Sequence, residues 1–141
     1  FTSVNFELAG PILERGWDRP LRRLPNVHLL GDVPYSQYPE VLAGWDVGWV
    51  PHRVGHGEVG GDVIKIYEYR AAGLPTLITP IIGSHRALPG VRVAMANEHG
   101  EILRDLLKVG SQDRVPREPM TIPPEMTWRH KAHLISKAIG A

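Results

Sequence analysis

Five short apolar runs, each meeting a glycine or proline, constrain this chain more than any other feature: VNFELAGP (4–11), NVHLLGDVP (26–34), DVGWVP (46–51), PTLITPII (75–82) and GVRVAM (90–95). Runs of this length, rich in β-branched and aromatic residues, read as buried strands meeting their turns. Helical periodicity lies between them. PYSQYPEVLAGW (34–45) spaces Tyr38, Val41, Leu42 and Trp45 on one face with Ser36 as N-cap, and NEHGEILRDLLKVG (97–110) turns Ile102, Leu103, Leu106 and Leu107 inward. PILERGWDRPLRRL (11–24), broken by Gly16 and Pro20, predicts a loop with at most a short helix and solvated arginines. SQDRVPREPMTIPPE (111–125) reads as a surface connection with four prolines, and a terminal helix follows, opened by Thr127. Buried strands alternating with helices imply an α/β domain whose parallel sheet is covered on both faces.

Composition narrows the function classes. At 141 residues the chain is expected to form one domain, 1–141, with its own core. A net charge of +1 does not describe a basic nucleic-acid surface, whatever local patches exist, and the lack of cysteine excludes disulfides, thiolate zinc sites and cysteine nucleophiles. No apolar run approaches the roughly 18 residues of a membrane helix. The opening FTSVNFELAG has neither an initiating Met nor a leader, so the chain reads as a piece of something longer.

The richest candidate site follows the third run. HRVGHGEVGG (52–61) has four glycines and no periodicity; Asp62 can N-cap the helix after it, on which Ile64, Tyr67 and Ala71 share one face and Lys65 and Glu68 an adjoining one. Gly73 and Pro75 stop that helix. In an open parallel sheet, ligands lie beyond the carboxyl ends of the strands. One reading puts a phosphate at Gly60, Gly61 and the first N–H groups of the helix, with Lys65, Arg53 and His52 adding positive charge and Glu68 accepting from ribose hydroxyls. The other makes Glu68 a surface acid paired with Lys65 and the glycines a plain turn. Both remain open on spacing alone, since neither a Walker pattern nor GxGxxG is present.

The remaining polar residues say less. His52 and His56 have a helical metal spacing in a segment whose glycines oppose a helix, so no metal site is expected. His28 reads as a strand residue, His130 and His133 as part of a solvated face, and His85 and His99 as having no evident partner. No GxSxG elbow marks a serine hydrolase, and no acid cluster after the first strand suggests a flavodoxin-like receiver. Trp17, Trp45, Trp49 and Trp128 are expected mostly in the core or partly buried, marking no clean amphipathic membrane helix.

NVHLLGDVP, DVGWVPHR and above all DVIKIYEYRAAGLPTLITP together resemble the C-terminal half of bacterial GT-B glycosyltransferases, in which a motif like D-P-I-K-x-Y-E-Y-x-A-x-G-x-P precedes a buried strand. The resemblance runs from about residue 4 to residue 139, and Thr127-Trp128-Arg129 is similar to the start of that family's last helix. It implies a Rossmann-like donor-binding domain, a nucleotide-diphosphate sugar as donor substrate with no separate cofactor, a glycan or lipid-linked acceptor, and an N-terminal domain outside this chain. Carried over by motif, Glu68 binds the ribose hydroxyls, the diphosphate lies over residues 59–62, Asp62 included, and the base lies near Gly31, Asp32 and Val33.

Such relatives act in polysaccharide assembly, which implies a cytoplasmic protein working near the inner face of the membrane, peripherally associated with it. Transfer through an oxocarbenium-like transition state needs positive potential at the departing diphosphate, which helix N–H groups, Lys65 and Arg53 can supply without a divalent metal. No catalytic residue is assigned.

Two departures qualify the resemblance. Many retaining members carry a second glutamate eight positions before the ribose-binding one, where this chain has Gly60, and Val63 replaces the motif's proline. The glycine supports an alternative, a nucleotide-binding or scaffolding domain without turnover. The chain also opens at what looks like the family's second strand, so a central strand is expected to be missing and the strand edges beside it open.

Overall fold

The computed structural model describes residues 4–14, 16–55, 63–82, 84, 88–108, 117 and 123–140. Among the described residues it is an α/β structure with four helices, and its strands form two parallel sheets, of two and three strands. The chain divides into two compact units, Phe1–Val41 and Leu42–Ala141.

In the first unit β1 (Phe6–Ala9) pairs in parallel with β2 (Val27–Gly31), with Phe6 opposite Val27 and an irregularity between Leu8 and Ala9. Gly31 closes β2 at φ +73°, a left-handed turn that glycine takes without a Cβ penalty. His28 is exposed on β2 opposite Glu7. Among its described residues the 11–24 connection holds only a 3-10 helical turn, Leu21–Arg23, as its prolines and glycine predict. Ser36 caps no helix: it lies inside a second 3-10 turn, Tyr35–Gln37, ahead of α1 (Tyr38–Gly44).

The second unit holds the better-built sheet. β3 (Gly48–Val50), β4 (Thr76–Ile78) and β5 (Val91–Val93) run parallel in that order, with α2 (Ile64–Ala71) crossing from β3 to β4 and packing on both. β4 is central, and Thr76, Leu77, Ile78 and Thr79 are fully buried. α3 (His99–Lys108) packs on β4 and buries Leu103, while Ile102, Leu106 and Leu107 are half-buried. Among the described residues β1 and β3 each have a strand on one side only.

α2 is held at its end by a Schellman turn. Gly73, at φ +73°, donates from its N–H to the Arg70 carbonyl, and the Leu74 N–H donates to Tyr69, both at 2.9 Å. Its buried face corrects the sequence expectation. Ile66, Tyr69 and Arg70 face inward, whereas Ile64 and Ala71 are exposed. The close approach of helix to sheet explains the choice. A β-carbon on Gly48 would lie 2.5 Å from Cγ and 2.9 Å from Cε2 of Tyr69, so the Tyr69 ring rests directly on the β3 backbone where only glycine leaves room. Trp45 meets the same ring edge-on at 5.9 Å.

His99 has two partners where the sequence offered none. Trp49 Nε1–H donates to His99 Nδ1 at 2.9 Å, and because indole nitrogen only donates, His99 carries its proton on Nε2 and donates it to the Ala94 carbonyl, also at 2.9 Å. This buried imidazole ties the start of α3 to β3 and to the end of β5. His99→Phe keeps a ring and loses both bonds. It is expected to cost about 1–3 kcal/mol in urea unfolding, the scale of buried polar groups left unpaired; a change within ~0.5 kcal/mol would show that the clamp adds no stability.

α4 (Trp128–Ala138) starts as expected, Thr127 Oγ1 accepting from the His130 N–H at 3.2 Å. Among the described residues no helix is long and apolar enough to cross a membrane.

Candidate functional site

β3 ends at Val50, and the chain next shapes a carboxyl-end loop. Thr79, buried at the end of β4, donates from Oγ1 to the His52 carbonyl at 2.9 Å and from its N–H to the Val50 carbonyl at 3.3 Å. The backbone of His52 is thereby fixed beside the sheet, while its side chain and that of Arg53 are exposed. Gly60, Gly61 and Asp62, with His56 and Glu58, lie outside the described residues, as does His85.

Val63, the next residue described, is in extended conformation (φ −77°, ψ 99°) and is the N-cap of α2. The N-cap expected of Asp62 therefore sits one residue later, on a side chain that cannot accept a hydrogen bond. Among the described residues no side chain caps this helix, and no acid occupies its first turn. The N-terminal end of α2 thus keeps its partial positive charge uncompensated from within the helix.

Lys65 and Glu68 are the two site residues that the structure brings together. Their side chains meet at 3.0 Å, Lys65 Nζ donating to Glu68 Oε2, with the Lys65 side chain 41% exposed and that of Glu68 12%. This is the i,i+3 pairing that the spacing allows. It does not exhaust the carboxylate, whose two oxygens offer about four acceptor positions. A half-buried acid with an ammonium at its side, on the second turn of an uncapped helix, can take hydroxyl donors while the helix start takes an anion.

Asp32, exposed, and Val33, half-buried, directly follow β2 in the first unit. Beside them in that unit is a feature which the sequence reading missed. A pocket of about 420 Å³ opens at the carboxyl end of β1, lined by Leu8, Pro11, Ile12, Trp17, Leu21 and Leu29 among others. It contains none of the expected donor-binding residues. Trp17, one of four tryptophans expected mostly in the core or partly buried, is 73% exposed on its rim. Asp18 also lines the pocket, and the hydrogen bond from Arg22 holds its carboxyl below the usual carboxylate range. The signal was available: Ile12, Leu13 and Trp17 are large apolar residues in a segment that prolines and a glycine keep from burying them in a helix.

Among the described residues, no group of three or more His, Asp or Glu side chains is placed to hold a metal ion. No family model matches the chain, and neither a curated protein nor a solved structure matches it.

Proposed function

We propose that this domain binds the donor of a nucleotide-sugar-dependent glycosyltransferase, with the diphosphate at the start of α2 and the ribose hydroxyls on Glu68. One observation supports the reading above the others: at the carboxyl end of β3 a parallel β–α–β unit presents a helix start with no side-chain cap among the described residues, followed by Lys65 and Glu68 side by side. Phosphate suits the uncapped N–H groups and hydroxyls suit the carboxylate, and a nucleotide offers both. Arg53, exposed beyond β3, adds positive charge at the same sheet end. In transfer, negative charge grows on the departing diphosphate as the sugar takes on oxocarbenium character. Donors fixed before reaction stabilise that charge more than they stabilise the bound donor, which is what lowers a barrier. Acceptor recognition falls to the second domain that the family resemblance implies.

A rival reading keeps nucleotide binding without turnover, favoured by Gly60 where many relatives place a sugar-contacting acid. Calorimetric titration of UDP, GDP and dTDP tests the shared part. One of the three is expected to bind, and Glu68→Ala to weaken it by about 1.5–3 kcal/mol, roughly 10- to 150-fold, the scale of hydrogen bonds to a charged group. Unchanged affinity in the variant would remove Glu68 from the ribose role; no binding by any of the three would sink the nucleotide reading. Donor hydrolysis or transfer by the intact enzyme then separates the catalyst from the scaffold.

A further inference from the structure

Thr79 places a hydroxyl where apolar chemistry would serve. It has no exposed surface and directly follows Leu77 and Ile78, the fully buried residues of β4. A valine has nearly the same volume, and a buried hydroxyl costs stability unless its hydrogen bond is made. What the hydroxyl holds is therefore its use.

It holds the chain beyond β3 rather than the strand itself. Oγ1 donates to the His52 carbonyl at 2.9 Å, with the Val50 carbonyl a longer second acceptor at 3.4 Å, and the Thr79 N–H donates to the same Val50 carbonyl at 3.3 Å. Pro51 lies between the two held carbonyls, and its ring locks φ. The His52 carbonyl shares one rigid peptide plane with the N–H and Cα of Arg53. Fixing that oxygen thus fixes where the Arg53 side chain starts. The anchor is itself tied down: the Thr79 carbonyl accepts from the Ile81 N–H at 2.8 Å, and Ser84, 1% exposed, donates from its N–H and its Oγ to the Ile81 carbonyl.

A buried clamp thus ends in two exposed side chains, His52 and Arg53, through which it adds nothing to the core. A guanidinium that leaves a fixed backbone loses less freedom on meeting an anion than one on a loose loop, so it binds more tightly. We propose that Thr79 is a positioning residue of the donor site, whose hydroxyl presents Arg53 to the phosphates of a nucleoside diphosphate at the carboxyl end of β3. The inference rests on the nucleotide reading above and adds to it a buried residue that acts only through Arg53.

Titration of UDP, GDP and dTDP into the protein and three variants tests it. For the nucleotide that binds, Arg53→Ala is expected to raise Kd about 10-fold or more and Thr79→Val about 5- to 10-fold, the lower end of what a hydrogen bond to a charged group contributes. Thr79→Ser keeps Oγ and should restore binding. In Arg53→Ala protein, adding Thr79→Val should change Kd by less than about twofold, the spread within which independent effects add. A residue that only supports the fold would weaken binding with or without the guanidinium. Because Arg53 is exposed, unchanged affinity in Arg53→Ala overturns the proposal with no question of folding. Unchanged affinity in Thr79→Val, or an undiminished effect of that change in Arg53→Ala protein, overturns it as well, and in each case nucleotide binding stands. Binding of none of the three nucleotides by the unaltered protein would remove the donor reading and this inference with it.

Discussion

Leu77→Ala is expected to lower the free energy of unfolding by about 2–5 kcal/mol, a large share of the 5–15 kcal/mol that holds a domain of this size together. Leu77 has no exposed surface and sits in the middle of β4, in register with Trp49 on β3 and Arg92 on β5. α2 and α3 both pack on this strand. Truncation removes apolar burial and leaves a cavity on a strand that its two neighbours hold by hydrogen bonds, so little collapse of the sheet can relieve it. Urea unfolding of the variant measures the loss, with Leu13→Ala as control, because Leu13 is 89% exposed and its truncation should stay within about 0.5 kcal/mol. A loss below about 1 kcal/mol at Leu77 would mean that β4 is not the centre of a close-packed sheet.

Arg70→Met should do the opposite. Arg70 is 2% exposed, on the inward face of α2, and its Nε and Nη1 donors are buried without hydrogen-bond partners among the described residues. A guanidinium taken out of water without a carboxylate loses hydration worth several kcal/mol and regains little, although its place in the last turn of α2 gives some return from the helix dipole. A flexible apolar side chain of similar length fills the same space without that cost. The expected gain is about 1–4 kcal/mol, the range found when buried ionic groups give way to packed apolar ones. A loss of about 3–5 kcal/mol instead would reveal a buried carboxylate that pairs with Arg70 in solution.

Arg70 also shows why the inward face of α2 was not legible in the sequence. Reading by residue type selects Ile64, Tyr67 and Ala71, but the face that packs on the sheet carries a tyrosine and an arginine, and it is fixed by the fit of the Tyr69 ring over Gly48. Shape decided there, and hydropathy patterns do not encode shape. The strands were legible for the opposite reason: NVHLLGDVP and PTLITPII are short apolar runs bounded by turn residues, and both lie where expected. The Schellman end of α2 was legible as well, because Gly73 followed by Pro75 leaves the helix no continuation.

Of the candidate site, the Lys65–Glu68 proximity was readable from an i,i+3 spacing, a local quantity. The Trp49–His99 bond was not, since its partners are 50 residues apart and meet only through the order of the strands. The reading expected one parallel sheet lacking a central strand, and the described strands pair as sheets of two and three. Strand pairing depends on which edges meet, and apolar runs of similar composition do not specify their neighbours.

The division of five strands into sheets of two and three bears on how this chain responds to damage. Within a sheet, the ladder of backbone hydrogen bonds makes the order of one strand a condition for the order of the next, and this is the stiffest route of cooperative unfolding. β3, β4 and β5 share such a ladder, so a cavity at Leu77 is felt along all three. β1 and β2 share only their own. Amide hydrogens of the two sets therefore report separate opening free energies, and a lesion in the larger sheet reaches the smaller one through no backbone ladder among the described residues.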